Sequence, residues 1–143
     1  MDDMREILTL VMRFAHMEGY SALAVDNVHD ACSQIASDEI FASLRMAFLD
    51  IEVGQDLGFE VYNRIRAKSA SFPVVIMSGS VYHKTLYPML AYDNYVSFMP
   101  KPFDMRTVRH LMREPSAWGG DVSRLFQTDP NLGHHELAPA MGE

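Results

Sequence analysis

Three short, largely apolar runs constrain this chain more than anything else in it. They are Met46-Ala-Phe-Leu49 ahead of Asp50, Val74-Val-Ile-Met77 ahead of Ser78, and Tyr95-Val-Ser-Phe-Met99 ahead of Pro100 and Lys101. Runs this short, without polar alternation, read as strands buried on both faces, and such strands belong to parallel sheets covered by helices. The intervening sequence has helical spacing. Ile7, Leu10, Val11 and Phe14 share one helical face, with Gly19 as its stop. Residues 22–25 read as a further strand. Asp26 or Asn27 then caps a helix that buries Val28, Ala31, Cys32 and Ile35. Leu57, Val61 and Ile65 predict a helix over residues 58–68, and Asp104 caps a last one carrying Met105, Val108, Leu111 and Met112. Residues 37–43 are less regular and read as a connection. Region 81–93 has helical composition broken by Pro88, which predicts a short or kinked helix. The alternation implies an α/β fold with right-handed crossovers. Asp50, Ser78 and Lys101 then converge at the carboxyl edge of the sheet, where open parallel sheets place their sites.

A formal charge of −7 argues against a broad nucleic-acid surface, because phosphate binding needs clustered Lys and Arg. A single cysteine, Cys32, excludes an internal disulfide and fits a reducing compartment. No apolar run approaches the ~20 residues of a membrane span, and the acidic start does not resemble a signal peptide, so a cytoplasmic location is expected. From Glu114 onward Pro and Gly punctuate the chain, giving an expected division into a domain over residues 1–113 and a partly disordered tail over 114–143. The adjacent His134 and His135 point apart and lack a nearby third ligand, so they read as tail residues rather than a metal site. Nothing after residue 113 can form a helix-turn-helix with its own core, so direct DNA binding is not expected.

Asp2-Asp3, Phe48-Leu-Asp-Ile51, Gly58-Phe-Glu60 with Ile65-Arg66, Ile76-Met-Ser-Gly79 and Lys101-Pro-Phe103 stand in an order and spacing that resembles the receiver domain of two-component response regulators. The resemblance implies a flavodoxin-like, doubly wound parallel sheet with helices on both faces. It implies that Asp50 is the phosphoacceptor, that Asp2, Asp3, Asp50 and the backbone carbonyl of Glu52 hold Mg²⁺, and that Ser78 and Lys101 contact the phosphoryl group. Ser78 and Phe98 would be the switch residues. The implied partners are a histidine kinase or histidine phosphotransfer protein and a downstream protein, with a homodimer possible and no membrane. The protein would be a phosphoaccepting signalling domain rather than an enzyme. The chemistry suits these residue types: a carboxylate attacking a phosphoryl group needs their mutual repulsion neutralised by a hard cation and a lysine.

The chain departs from the family at several points. The family's first strand should precede the acidic pair, yet only Met1 does, so that strand is expected to be missing or supplied from elsewhere. Without it nothing in the sequence fixes Asp2 and Asp3 near Asp50, and both could serve as acids ahead of a helix. Gly54 replaces a usual proline, while Pro88 and Pro100 fall where the output face would be. Asn94 stands where the family has glycine, a place suited to left-handed backbone. The Lys101–Pro102 bond is a candidate cis bond. Two other readings compete: a receiver-like binding module that is not phosphorylated, and a small enzyme on a similar sheet. The second lacks a phosphate-cradling glycine loop.

Overall fold

A computed structural model describes residues 1–54, 56–79 and 92–113. Three parallel strands, β1 (Ala47–Asp50), β4 (Val74–Ser78) and β5 (Val96–Pro100), form a sheet in the order β1-β4-β5. Ala47 lies opposite Val74 and Asp50 opposite Met77, while Val74 lies opposite Val96 and Ser78 opposite Pro100. All of β4 is buried, as a strand without polar alternation requires.

The two faces of the sheet carry different helices. On one, Val74, Ile76, Val96 and Leu49 pack with α2 (Val28–Ala36) and α4 (Phe59–Lys68) through Ile35, Val61 and Ile65. On the other, Val75, Met77 and Met99 pack with α1 (Arg5–Met17) and α5 (Met105–Arg113) through Phe14, Val108 and Leu111. This is the doubly wound arrangement expected from the sequence. Glu18, just past α1, forms ion pairs with Arg109 and Arg113 of α5, and the Tyr20 hydroxyl donates to the Met112 carbonyl at 2.9 Å. These bonds tie the first helix to the last. Arg66 of α4 donates to Asp93 (2.5 Å) and to the Phe72 carbonyl (2.7 Å), and the Tyr62 hydroxyl also donates to Asp93 (2.7 Å). That network closes the amino-terminal ends of β4 and β5.

The caps follow the sequence. Asn27 accepts from the Asp30 amide, Asp104 accepts from the Thr107 amide, and Gly19 ends α1 with φ 83°. Several expectations are corrected. Residues 37–43 are not a plain connection: α3 (Asp38–Ser43) starts at Ser37, whose hydroxyl accepts from the Ile40 amide. Residues 22–25 join no strand ladder, because little backbone lies beside them to pair with. Leu10 and Met105 are partly exposed rather than core, since their helices bury narrower stripes than the spacing suggested. Asn94 does not adopt a left-handed conformation: among the described residues only Gly19 and Gly54 have positive φ. A two-stranded antiparallel ribbon, β2 (Glu52–Val53) with β3 (Asp56–Leu57), follows β1 and was not foreseen. No helix among the described residues is long and apolar enough to cross a membrane. The expected helix over 81–93 and the tail over 114–143 lie outside the described residues, apart from Tyr92 and Asp93.

Met1 pairs with β1 on the side away from β4: its ammonium donates to the Phe48 carbonyl at 2.6 Å, and its carbonyl accepts the Asp50 amide at 2.9 Å. Asp2 then donates its amide to the Val25 carbonyl at 3.2 Å.

Candidate functional site

β1 ends by presenting the Asp50 carboxylate at the carboxyl edge of the sheet, 4% exposed. Two strands over, β5 ends in Pro100, and the cis Lys101–Pro102 bond follows. The Lys101 amide donates to the Ser78 carbonyl at 2.7 Å, which anchors the lysine backbone at the end of β4. Its side chain reaches back across the edge, where Nζ donates to Asp50 Oδ2 at 2.8 Å and to Asp2 Oδ2 at 2.6 Å.

Asp2 is wholly buried, an expensive place for a carboxylate unless it is paired and hydrogen-bonded. Lys101 supplies the pairing, and the Met4 amide donates to Asp2 Oδ1 at 2.9 Å. Asp3 is exposed, and its Oδ2 accepts the Gly54 amide at 2.9 Å. Asp2, Asp3 and Asp50 each bring a carboxylate oxygen to within 4.8 Å of the others. The concern that nothing fixes the acidic pair near Asp50 is therefore answered by the rungs that Met1 makes to β1 and Asp2 makes to Val25.

Two glycines frame the site. Gly54 has φ 61°, which non-glycine residues seldom adopt, and this turn aims its amide at Asp3. The sequence marked it only as a departure. At Gly58 an added Cβ would collide with the Asp50 carbonyl oxygen, so glycine lets α4 begin directly against the end of β1. Its amide donates to the Ile51 carbonyl at 2.9 Å. The short spacing from Asp50 to the start of α4 was the available signal.

Burial pushes the Asp50 carboxyl above its ordinary range, partly offset by hydrogen bonds from Lys101 and the Glu52 amide, with the Asp2 charge adding to the rise. Burial pulls the Lys101 ammonium down, but hydrogen bonds to Asp2 and Asp50 outweigh it and the net shift is upward. The shifts do not mirror each other because one cation serves two carboxylates. The Met1 ammonium is lowered to about 6 by burial, against the attraction of Asp2 and Asp50.

Of the other expected site residues, Ser78 is buried at the end of β4, one strand from Asp50. The Glu52 amide donates to Asp50 Oδ1 at 3.0 Å. Phe98 is half-buried in β5, packed against the core beneath α2 and α4. The structure thus gathers Asp2, Asp3, Asp50 and Lys101 into one cluster, joins Ser78 to it through backbone, and places Phe98 in the adjoining core. Three hard carboxylate oxygens this close together fit a divalent cation of the Mg²⁺ or Ca²⁺ type.

The family model described as the response regulator receiver domain matches residues 1–113. The chain belongs to that family. The NtrX receiver domain from Brucella abortus is similar in structure, with a TM-score of 0.66 at 23% identity over 80% of this chain and 92% of that one. A CheY-like receiver protein from Methanospirillum hungatei JF-1 gives 0.68 at 16% identity, over 82% and 90% of the two chains. TrrA from Thermotoga maritima, solved in complex with Mg²⁺–BeF, gives 0.64 at 21% identity over 80% and 93%. Against a longer NtrX structure from Brucella abortus, the chain spans 26% of that protein's length, with 82% of this chain covered at 22% identity and a TM-score of 0.66. No curated protein matches the chain by sequence. The receiver family is a family of signalling domains of two-component systems, and the flavodoxin-like α/β fold agrees with these neighbours.

Proposed function

We propose that this receiver domain accepts a phosphoryl group on Asp50 from a phosphohistidine of a histidine kinase or histidine phosphotransfer protein. The observation that carries the reading is the convergence of Asp2, Asp3 and Asp50 with Lys101 at one end of the sheet. One Asp50 carboxylate oxygen forms a bond to phosphorus while the phosphorus–nitrogen bond of the donor breaks. The electron pair leaves with the imidazole, and the product is an acyl phosphate. Hydrogen bonds from Lys101 and the Glu52 amide hold the carboxylate in one orientation. Lys101 also brings positive charge to the place where phosphoryl oxygens would collect.

Asp2, Asp3, Asp50 and the Glu52 carbonyl would hold Mg²⁺, which supplies charge neutralisation for two anions brought together. The TrrA complex with Mg²⁺–BeF supports the choice of metal. The Ser78 hydroxyl then hydrogen-bonds the new phosphate, and Phe98 responds through its packing on the core. Output passes to a downstream protein through the surface of β5 and α5, with no direct DNA contact by residues 1–113 and a homodimer as one form of that contact. The setting is cytoplasmic, and the domain is a switch, its only chemistry being phosphorylation of Asp50 and hydrolysis of the product.

One observation favours a second reading, a receiver-like module that is not phosphorylated. Lys101 already bridges Asp2 and Asp50, which leaves less negative charge to draw a metal. Intact mass after incubation with Mg²⁺ and acetyl phosphate separates the two. An adduct of one phosphate that disappears with EDTA and in Asp50→Asn is expected. Folded protein that gains no mass overturns the phosphoacceptor reading.

A further inference from the structure

The three carboxylates of the cluster are not held alike. Asp2 and Asp50 are buried, and each has both oxygens engaged. Lys101 Nζ donates to Oδ2 of each, while the Met4 amide donates to Asp2 Oδ1 and the Glu52 amide to Asp50 Oδ1. Asp3 is exposed, and the Gly54 amide, 2.9 Å from Oδ2, makes the one hydrogen bond to its side chain among the described residues. That bond depends on the backbone of Gly54. An added Cβ would meet only Asp3 Oδ2, at 4.0 Å, which is an ordinary contact, so room is not what calls for glycine. The φ of 61°, which turns the N–H toward Asp3, is what calls for it. The proline that Gly54 replaces would have no N–H to give. Gly54 also directly follows β2, whose Glu52 lies opposite Leu57 and whose Val53 lies opposite Asp56, so the donor is fixed to a paired ribbon.

We infer, on the metal-holding role proposed above for Asp2, Asp3 and Asp50, that Gly54 is a positioning residue which makes the cluster select Mg²⁺ over the larger Ca²⁺. Mg²⁺ demands near-ideal octahedral geometry, whereas Ca²⁺ accepts irregular shells and carboxylates bound through both oxygens. Selection between the two then turns on how far the ligands can move. Asp2 and Asp50 cannot move without breaking buried hydrogen bonds at both oxygens. Asp3, at the surface, would be free to adapt but for one amide. A swing that offered both Asp3 oxygens to a larger ion would give up the Gly54 bond, while ligation through one oxygen keeps it. Gly54 touches no reacting atom and acts through Asp3, as an outer partner that orients a ligand.

The full chain is titrated with magnesium chloride and with calcium chloride, and binding is followed by the NMR shift of the Glu52 amide. Beside it stands the same chain with glycolate in place of Gly54, which puts an ester oxygen where the N–H was and leaves φ unrestricted. The wild type should bind Mg²⁺ more tightly than Ca²⁺. The ester should weaken Mg²⁺ binding by about tenfold while Ca²⁺ binding changes by less than about twofold. In Asp3→Ala the ester should make no further difference. Hydrogen exchange of the wild-type Gly54 amide gives a reading that needs no variant: it should be slower by about tenfold with Mg²⁺ bound than with Ca²⁺ bound. Equal loss of both ions in the ester, an ester effect that survives Asp3→Ala, or equal exchange with the two ions overturns the role of Gly54 and leaves the metal site standing. Folded wild type that binds neither ion overturns the metal reading itself, and the selectivity with it.

Discussion

Along one edge of β1, Ala47 to Asp50 pair residue for residue with Val74 to Met77; along the other, Met1 alone among the described residues reaches the strand. The closed edge is continuous with β5, buried on both faces, and bound at its amino-terminal end by Arg66, Asp93 and Tyr62. The other edge borders an apolar cavity of about 720 Å³. Yet the acidic cluster straddles both edges, drawing Asp2 from the open one and Lys101 from the closed one. A site at a strand's end depends on the last rung of its ladder, not on the length of the ladder. The bonds of Met1 and Asp2 suffice to hold a carboxylate that Lys101 and the Met4 amide then satisfy.

The sharpest way to break this contrast is to truncate one side chain on each edge. Ile76→Ala, in the closed sheet, is expected to cost about 3–4 kcal/mol in urea unfolding, because a fully buried site collapses poorly. Leu23→Ala, on the half-exposed wall of the cavity beside β1, is expected to cost under about 0.5 kcal/mol. Equal costs would mean that the open edge is as well packed as the closed one.

A somewhat smaller effect is expected where the two edges meet. Gly58→Ala forces a methyl group against the Asp50 carbonyl and should cost about 2–3 kcal/mol. Because the displaced backbone carries Asp50, the same variant should weaken Mg²⁺ binding measured by titration calorimetry. Unchanged metal affinity would show that the end of β1 tolerates displacement.

The polar closure of the sheet gives a smaller, pH-dependent effect. Burial pushes the Asp93 carboxyl up, but hydrogen bonds from Arg66, Tyr62 and the Tyr95 amide outweigh it, so its folded pKa lies below the ordinary value. A depressed carboxyl contributes stability that is present above its unfolded pKa and lost as pH falls through the folded one. Melting of the wild type should therefore show a loss below about pH 4 that Asp93→Asn lacks. Parallel pH profiles for the two proteins would remove Asp93 from the account. The smallest effect is expected at the exposed Arg64–Glu60 pair on α4, 2.9 Å apart, where Glu60→Ala should leave the melting temperature almost unchanged. A larger loss in thermal melts would give that surface a role that burial does not suggest.

The parts of the fold legible in advance are those in which local chemistry and tertiary position ask for the same residue. Val74–Ser78 reads as a buried strand because both faces are apolar, and Asn27 and Asp104 read as caps because a side-chain oxygen beside a free amide is a local matter. Asp50 and Lys101 were legible for a related reason: each directly follows an apolar strand. What escaped was set by neighbours distant in sequence. Gly54 looked like a departure until Asp3 was seen to accept its amide, and Asn94 looked suited to a left-handed turn that the loop does not make. Asp2 could not be told from a solvated acid ahead of a helix, since its burial comes from partners at positions 25, 50 and 101.

By itself, the sequence determined the alternation of strands and helices and the order in which Asp50, Ser78 and Lys101 arrive at one edge. Those follow from periodicity and from which residues end each apolar run. Only the tertiary structure decided that the backbone of Met1 and Asp2 bonds β1 and Val25, and that this brings Asp2 and Asp3 beside Asp50. Hydrogen-bond partners more than twenty residues away settle such questions, and no local pattern records them.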